Sequence, residues 1–190
     1  MPAMSATAAD TTLVLIVRHA ERVSDAPNSD LSDIGLARAD RLAALAAEAG
    51  VQAVYATDFC RAAQTAQAAA EVLGLPIRVV ATGNASAGLD GCSPGIDARR
   101  DRVEEPTPDG VARRVLREQR GGTVLVVGHS NTVPAIAEAL GATVCPTLIQ
   151  PDERGRCWLA DDSYDKLFII RVPTIDGGTA RVQLSTIDPP

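Results

Sequence analysis

The chain has 190 residues, a formal net charge of −6 and a hydrophobic fraction of 46%, with aromatics at only 3%. That length suits one domain that buries a core without staples, and the core must be built of Ala, Val, Leu and Ile. No apolar run reaches the roughly 20 residues of a membrane span. The acidic balance argues against a nucleic-acid groove, yet permits a small anion held by a few focused arginines.

Residues 1–10 are small and polar and are expected to form a flexible tail, with residues 11–190 as a single domain. The start lacks the basic and apolar regions of a secretory leader, so a cytoplasmic location is expected, or a secreted or periplasmic one if a leader has been removed. Cysteines stand at 60, 92, 145 and 157 with no Cys-x-x-Cys spacing. They read as independent thiols. The alternative, a Cys145–Cys157 pair, requires an oxidising compartment.

Residues 12–17 are predicted to form the first strand, and the five apolar residues in a row over 13–17 mark it as buried on both faces of a parallel sheet. A polar loop, 22–30, leads to a helix from about Ser32, its expected cap, to about Glu48, with Gly50 ending it. Its apolar stripe is read as Ile34, Leu36, Ala37, Leu42, Leu45 and Ala46. A strand at 52–56 precedes an alanine-rich helix to Leu73, capped by Thr57 or Asp58 and stopped by Gly74 and Pro76. Residues 77–80 form a third strand. From Ala81 to Pro108 the pattern fails, and so long a connection is usually functional or mobile. A helix over 109–120 and a strand over 123–127 follow. The next helix begins near 131–133, because Pro134 is tolerated only in a first turn, and runs to about Leu140. Residues 141–164 are irregular. Strands at 166–172 and 180–186, joined by a turn at 176–178, form a terminal hairpin.

The chain holds two histidines, His19 and His129. Each follows a buried-type strand with one residue between, Arg18 or Gly128. Ligands bind outside the carboxyl ends of strands in open α/β sheets, so the two are read as one site. Arginine offers a planar fork matched to phosphate oxygens, and neutral histidine is a nucleophile. An adjacent arginine keeps the ring neutral through like-charge repulsion. Arg61, in the first turn of the second helix, opposes the helix dipole there, which points to a role outside the helix.

Four segments resemble the histidine phosphatase superfamily, the phosphoglycerate-mutase-like proteins: Arg18-His19-Ala20-Glu21, Leu31-Ser32-Asp33-Ile34-Gly35, Arg61-Ala62-Ala63-Gln64-Thr65-Ala66 and Gly128-His129-Ser130-Asn131-Thr132. They come in the family's order and span 13–140. The run through Pro134 is similar to a small bacterial branch of generic histidine phosphatases. The resemblance implies a three-layer α/β/α sandwich with a mostly parallel central sheet. It implies a metal-independent phosphomonoesterase without cofactor, in which His19 carries a phosphohistidine. Arg18, Arg61 and His129 would surround the phosphate, with Asn131 in support.

Many members also supply a carboxylic acid to the leaving group. Ser130 stands where some place an aspartate, and Asp90, Asp97, Glu104 and Glu105 are available but match no motif. The expected partner is a small phosphorylated substrate or a phosphoprotein, with no nucleic acid and no membrane. A phosphohistidine-protein phosphatase, a mutase and a phosphate-binding module without turnover are the alternatives. Substrate specificity is expected in 23–30, 81–108 and 141–164, where Arg99, Arg100, Arg102, Arg154 and Arg156 stand, with Arg22 just ahead of the first stretch. Oligomeric state is not legible.

Overall fold

The computed structural model describes residues 11–82, 84, 88–90, 92, 98–100, 107–175 and 178–188, with Ala98–Arg100 described in backbone only. In chain order the elements are β1 (Thr11–Arg18), α1 (Asp33–Glu48), β2 (Ala53–Thr57), α2 (Cys60–Leu73), β3 (Ile77–Val80), β4 (Ala98–Arg100), α3 (Pro108–Glu118), β5 (Thr123–Gly128), α4 (Thr132–Ala139), β6 (Lys166–Pro173) and β7 (Arg181–Thr186). The seven strands form one sheet in the order β4-β3-β2-β5-β1-β6-β7. Pairings from β4 through β1 are parallel. β6 and β7 join antiparallel, as the predicted hairpin.

Strand side chains alternate between two cores, as a period of two demands. Val14, Ile16, Tyr55, Val124 and Val126 pack with α3 and α4. Leu15, Val17, Val54, Leu125 and Val127 pack with α1 and α2 on the other face. The sheet is therefore the middle of three layers, and strands covered on both faces read as unbroken apolar runs. In α2, Ala62, Ala63, Ala66 and Ala69 are fully buried. Their small side chains allow a close approach of helix to sheet, which is how a chain with few aromatics fills its core.

Three local expectations change. Ile34 and Leu36 are exposed, and α1 instead buries Gly35, Arg38, Ala39, Leu42, Ala43 and Ala46. The helix is rotated by one contact: a Cβ at Gly35 would lie 2.1 Å from the Glu21 carbonyl oxygen, so only glycine fits. Neither Thr57 nor Asp58 caps α2. Its N-cap is Phe59, and Asn28 Oδ1, from a distant loop, accepts from the Cys60 N–H. Finally, β4 lies within the stretch expected to be irregular and pairs with β3 at Ile77↔Ala98. Ser32 caps α1 by accepting from the Gly35 N–H, and Pro134 sits in the first turn of α4.

Candidate active site

The register of β1 on β5 builds the site. Arg18 lies opposite Gly128, so the next residues, His19 and His129, leave the sheet side by side. The ladder continues one step further, with the His19 N–H donating to the Gly128 carbonyl at 2.9 Å. Gly128 is required here, because a Cβ would stand 2.7 Å from Thr132 Oγ1, which itself accepts from the His129 N–H. The two imidazoles meet edge to face with centroids 5.3 Å apart.

His19 is 3% exposed. Its Nδ1 lies 2.8 Å from the Ala20 carbonyl. A carbonyl only accepts, so the proton is on Nδ1 and the lone pair is on Nε2. Burial pushes the His19 pKa down to about 2, with the hydrogen bond to Ala20 opposing and the charges of His129, Arg61 and Arg18 adding to the fall. His129 is lowered to about 3, first by burial and then by Arg61, Arg18 and Arg22. Like-charge repulsion acts in the direction expected from the sequence, but desolvation is the larger cause for both rings. His129 Nε2 pairs with Thr57 Oγ1 at 2.8 Å, and its ring stands edge-on to Phe59 at 5.0 Å.

Arg18 and Arg61 are both buried, and burial lowers both pKa values. The Arg18 guanidinium lies over the Tyr164 ring at 4.2 Å, and that of Arg61 over Phe59 at 4.5 Å. Arg18 Nη1 donates to the Ala160 and Asp161 carbonyls, and Arg61 Nη1 to Pro27. Each keeps a buried Nε–H with no hydrogen-bond partner among the described residues. Two buried cations with unused donors beside a neutral imidazole suit an oxyanion.

The remaining motif residues tie the site together. Thr65 Oγ1 accepts from the Ala20 N–H and donates to the Arg61 carbonyl, linking the segment after β1 to α2. Gln64 bridges Leu31 and Asp30. Glu21 forms a forked pair with Arg38. Burial pushes the Glu21 carboxyl up, but the Arg38 hydrogen bond and charge outweigh it, and the pKa falls below its ordinary value.

His19, His129, Arg18 and Arg61 are thus brought together. Asn131 is exposed ahead of α4, and its side chain does not cap that helix. Asp90 is exposed. Asp97, Glu104, Glu105 and Arg102 lie outside the described residues, as do the side chains of Arg99 and Arg100. The turn expected at 176–178 also falls largely there. Arg156 stacks on Trp158 and pairs with Asp152; Arg22 pairs with Asp25. Sequence reasoning missed Thr57 as a partner of His129, Thr65 as the tie, and Tyr164 beside His19 (centroids 5.9 Å apart).

The cysteines are paired rather than independent, and one of the pairs, Cys145 with Cys157, is the alternative read from the sequence. Cys60 is bonded to Cys92 and Cys145 to Cys157, with Cα separations of 5.4 and 5.9 Å, inside the disulfide range. The first pairing depends on a long-range contact: Gly88 bridges to Phe59, which brings Cys92 to the start of α2. Spacing alone does not reveal it.

Residues 14–82 match the model of the histidine phosphatase superfamily (branch 1). No curated protein matches in sequence. Among solved structures, the chain is similar to the ecdysone phosphate phosphatase of Bombix mori in complex with tungstate, at 18% identity and a TM-score of 0.61, covering 94% of this chain and 92% of that one. It is similar to a mycobacterial glucosyl-3-phosphoglycerate phosphatase, at 18% identity and 0.58, covering 95% and 100%. It is also similar to the protein histidine phosphatase SixA complexed with tungstate, at 18% identity and 0.57, covering 93% and 97%. The chain is thus similar to the histidine phosphatase superfamily in sequence over residues 14–82, and over nearly its whole length it has the fold of the three phosphatases named above.

Proposed function

We propose that this protein is a phosphatase that transfers the phosphoryl group of a phosphomonoester to His19 and then to water. The observation that carries this reading is the His19 tautomer: Nδ1 is held by a carbonyl and Nε2 keeps its lone pair beside two buried arginines. Attack by Nε2 on phosphorus expels the leaving oxygen and makes the ring cationic. The Ala20 carbonyl, already accepting from Nδ1, then strengthens its hold on that cation. Arg18 and Arg61 neutralise the phosphoryl oxygens, and His129 completes the ring of donors around them. With both imidazoles lowered well below neutrality, the nucleophile is unprotonated at any ordinary pH.

A phosphohistidine-bearing protein is the second reading for the substrate, and the likeness to SixA favours it. The two disulfides support work in an oxidising compartment rather than the cytosol. Among the described residues no helix is long and apolar enough to cross a membrane.

The test is hydrolysis of p-nitrophenyl phosphate from pH 4 to 8 in excess chelator, wild type beside His19→Ala. The expected result is chelator-resistant turnover that the variant loses by at least ~10³-fold, together with loss of a trappable phosphohistidine. Equal turnover in the variant overturns the covalent mechanism. Loss of wild-type activity on chelation overturns metal independence.

A further inference from the structure

We propose that Tyr164 protonates the leaving oxygen, its hydroxyl acting as acid while phosphate moves to His19 and as base when water releases it. The inference rests on the phosphatase reading above and names a group that reading lacks.

Position comes first. Tyr164 lies just before β6, whose Leu167 pairs with Val17 of β1. On its other side, the segment is clasped by Arg18 Nη1 at Ala160 and Asp161 and by the Leu159 N–H on the Ser130 carbonyl. A residue from an irregular stretch is thereby fixed between both histidine-bearing turns, with its ring 5.9 Å from that of His19.

The hydroxyl is the second observation. Stacking under an arginine needs only a ring, and Phe59 does this for Arg61. Arg18 has a tyrosine instead. The chain's other tyrosine, Tyr55, uses its hydroxyl fully, donating to Glu118 and accepting from Arg78. The Tyr164 hydroxyl makes no hydrogen bond to any described residue. Its oxygen also acts electrostatically on Arg18 and Arg61 alike, opposing the burial that lowers both. The nearby carboxylates Asp161 and Asp162 are exposed, as is Asp90.

The chemistry balances. In the first step the Nε2–P bond forms and the P–O bond to the leaving group breaks. The Tyr164 O–H proton passes to the leaving oxygen, a stronger base than a phenolate. In the second step water attacks phosphorus, its proton returns to the Tyr164 oxygen, and the P–N bond breaks. Phosphate leaves, with Tyr164 and His19 both neutral again.

The experiment is Tyr164→Phe, which keeps the ring and its stacking on Arg18, assayed on p-nitrophenyl phosphate and on an alkyl phosphate. The proposal expects kcat/KM for the alkyl ester to fall by ~10²-fold or more, the usual span for a lost general acid. In kcat/KM, which ends at phosphoryl transfer and does not report the later release of phosphate, the aryl ester, whose leaving group needs no proton, should change by less than about threefold. Equal losses on both esters overturn it, making Tyr164 a phosphate-binding or Arg18-positioning residue. An unchanged alkyl rate also overturns it, placing the acid elsewhere. Absence of wild-type turnover and of trapped phosphohistidine would remove the phosphatase reading itself, an outcome visible before the variant is made.

Discussion

The two strand–histidine units are built alike in sequence and differently in space. β1 delivers His19 into the interior, where its own backbone fixes Nδ1 and Thr65 fixes the next amide. β5 delivers His129 to the rim, where a side chain from a third strand, Thr57, holds Nε2 instead. Opposite ring nitrogens are engaged, by a carbonyl in one case and a hydroxyl in the other. A carbonyl accepts only, so it enforces one tautomer and suits an attacking lone pair. A hydroxyl accepts or donates, so it leaves His129 free to change its protonation as charge builds beside it. Local sequence thus sets where each histidine sits, and the partner of its ring, the adjacent Ala20 carbonyl for His19 and the distant Thr57 hydroxyl for His129, sets what it is fitted to do.

The sharpest way to break this comparison is to remove each ring in turn. His129→Ala is expected to slow turnover by ~10²–10³-fold, the range for a lost transition-state donor. Unlike His19→Ala it should still accumulate phosphohistidine in a quench experiment. If His129→Ala forms none, the two rings do not divide the work as argued.

A second test uses stability. Both folded-state pKa values lie below the unfolded value near 6.5, so the unfolded chain binds more protons as pH falls. The stabilisation is therefore complete above pH 6.5 and is lost progressively below it, toward pH 3. The loss is at most about 1.4 kcal/mol per pH unit for each ring. Urea melts from pH 7 to 4 should show a slope that drops by up to half in His19→Asn. An unaltered slope would mean that His19 is not buried as a neutral ring. The smallest effect is expected from Thr57→Val, which removes one hydrogen bond worth about 1 kcal/mol. Turnover should fall about fivefold, with phosphohistidine formation on His19 retained.

Much of this was legible in the sequence, for identifiable reasons. Strands buried on both faces announce themselves as apolar runs, and a glycine or serine at a helix end has a local cause, as at Ser32 and Gly74. What escaped depends on partners far away in the chain. Ile34 and Leu36 fit an apolar stripe, but the approach of Gly35 to Glu21 turns that face outward. Asn28 replaces the expected cap of α2 from 32 residues away. Cys60 finds Cys92 only because Gly88 docks on Phe59. Tyr164 has no neighbouring signal in sequence at all; its place follows from β6 returning antiparallel beside β1. Four of the five aromatic residues in the chain (Tyr55, Phe59, Trp158 and Tyr164) lie under an arginine, and no rule of spacing exposes those pairings.

The pairing of Arg18 with Gly128 also limits how this chain can change in length. Successive strand residues face opposite cores, so one residue gained or lost within β1 or β5 exchanges every inward side chain of that strand and moves its histidine out of step with the other. The stretches 23–30 and 141–163 lie outside the strands, carry no such register and can lengthen or shorten around that fixed frame. Variation among relatives of this chain should therefore appear as insertions and deletions in those two places, while the distance along each strand to its histidine stays constant.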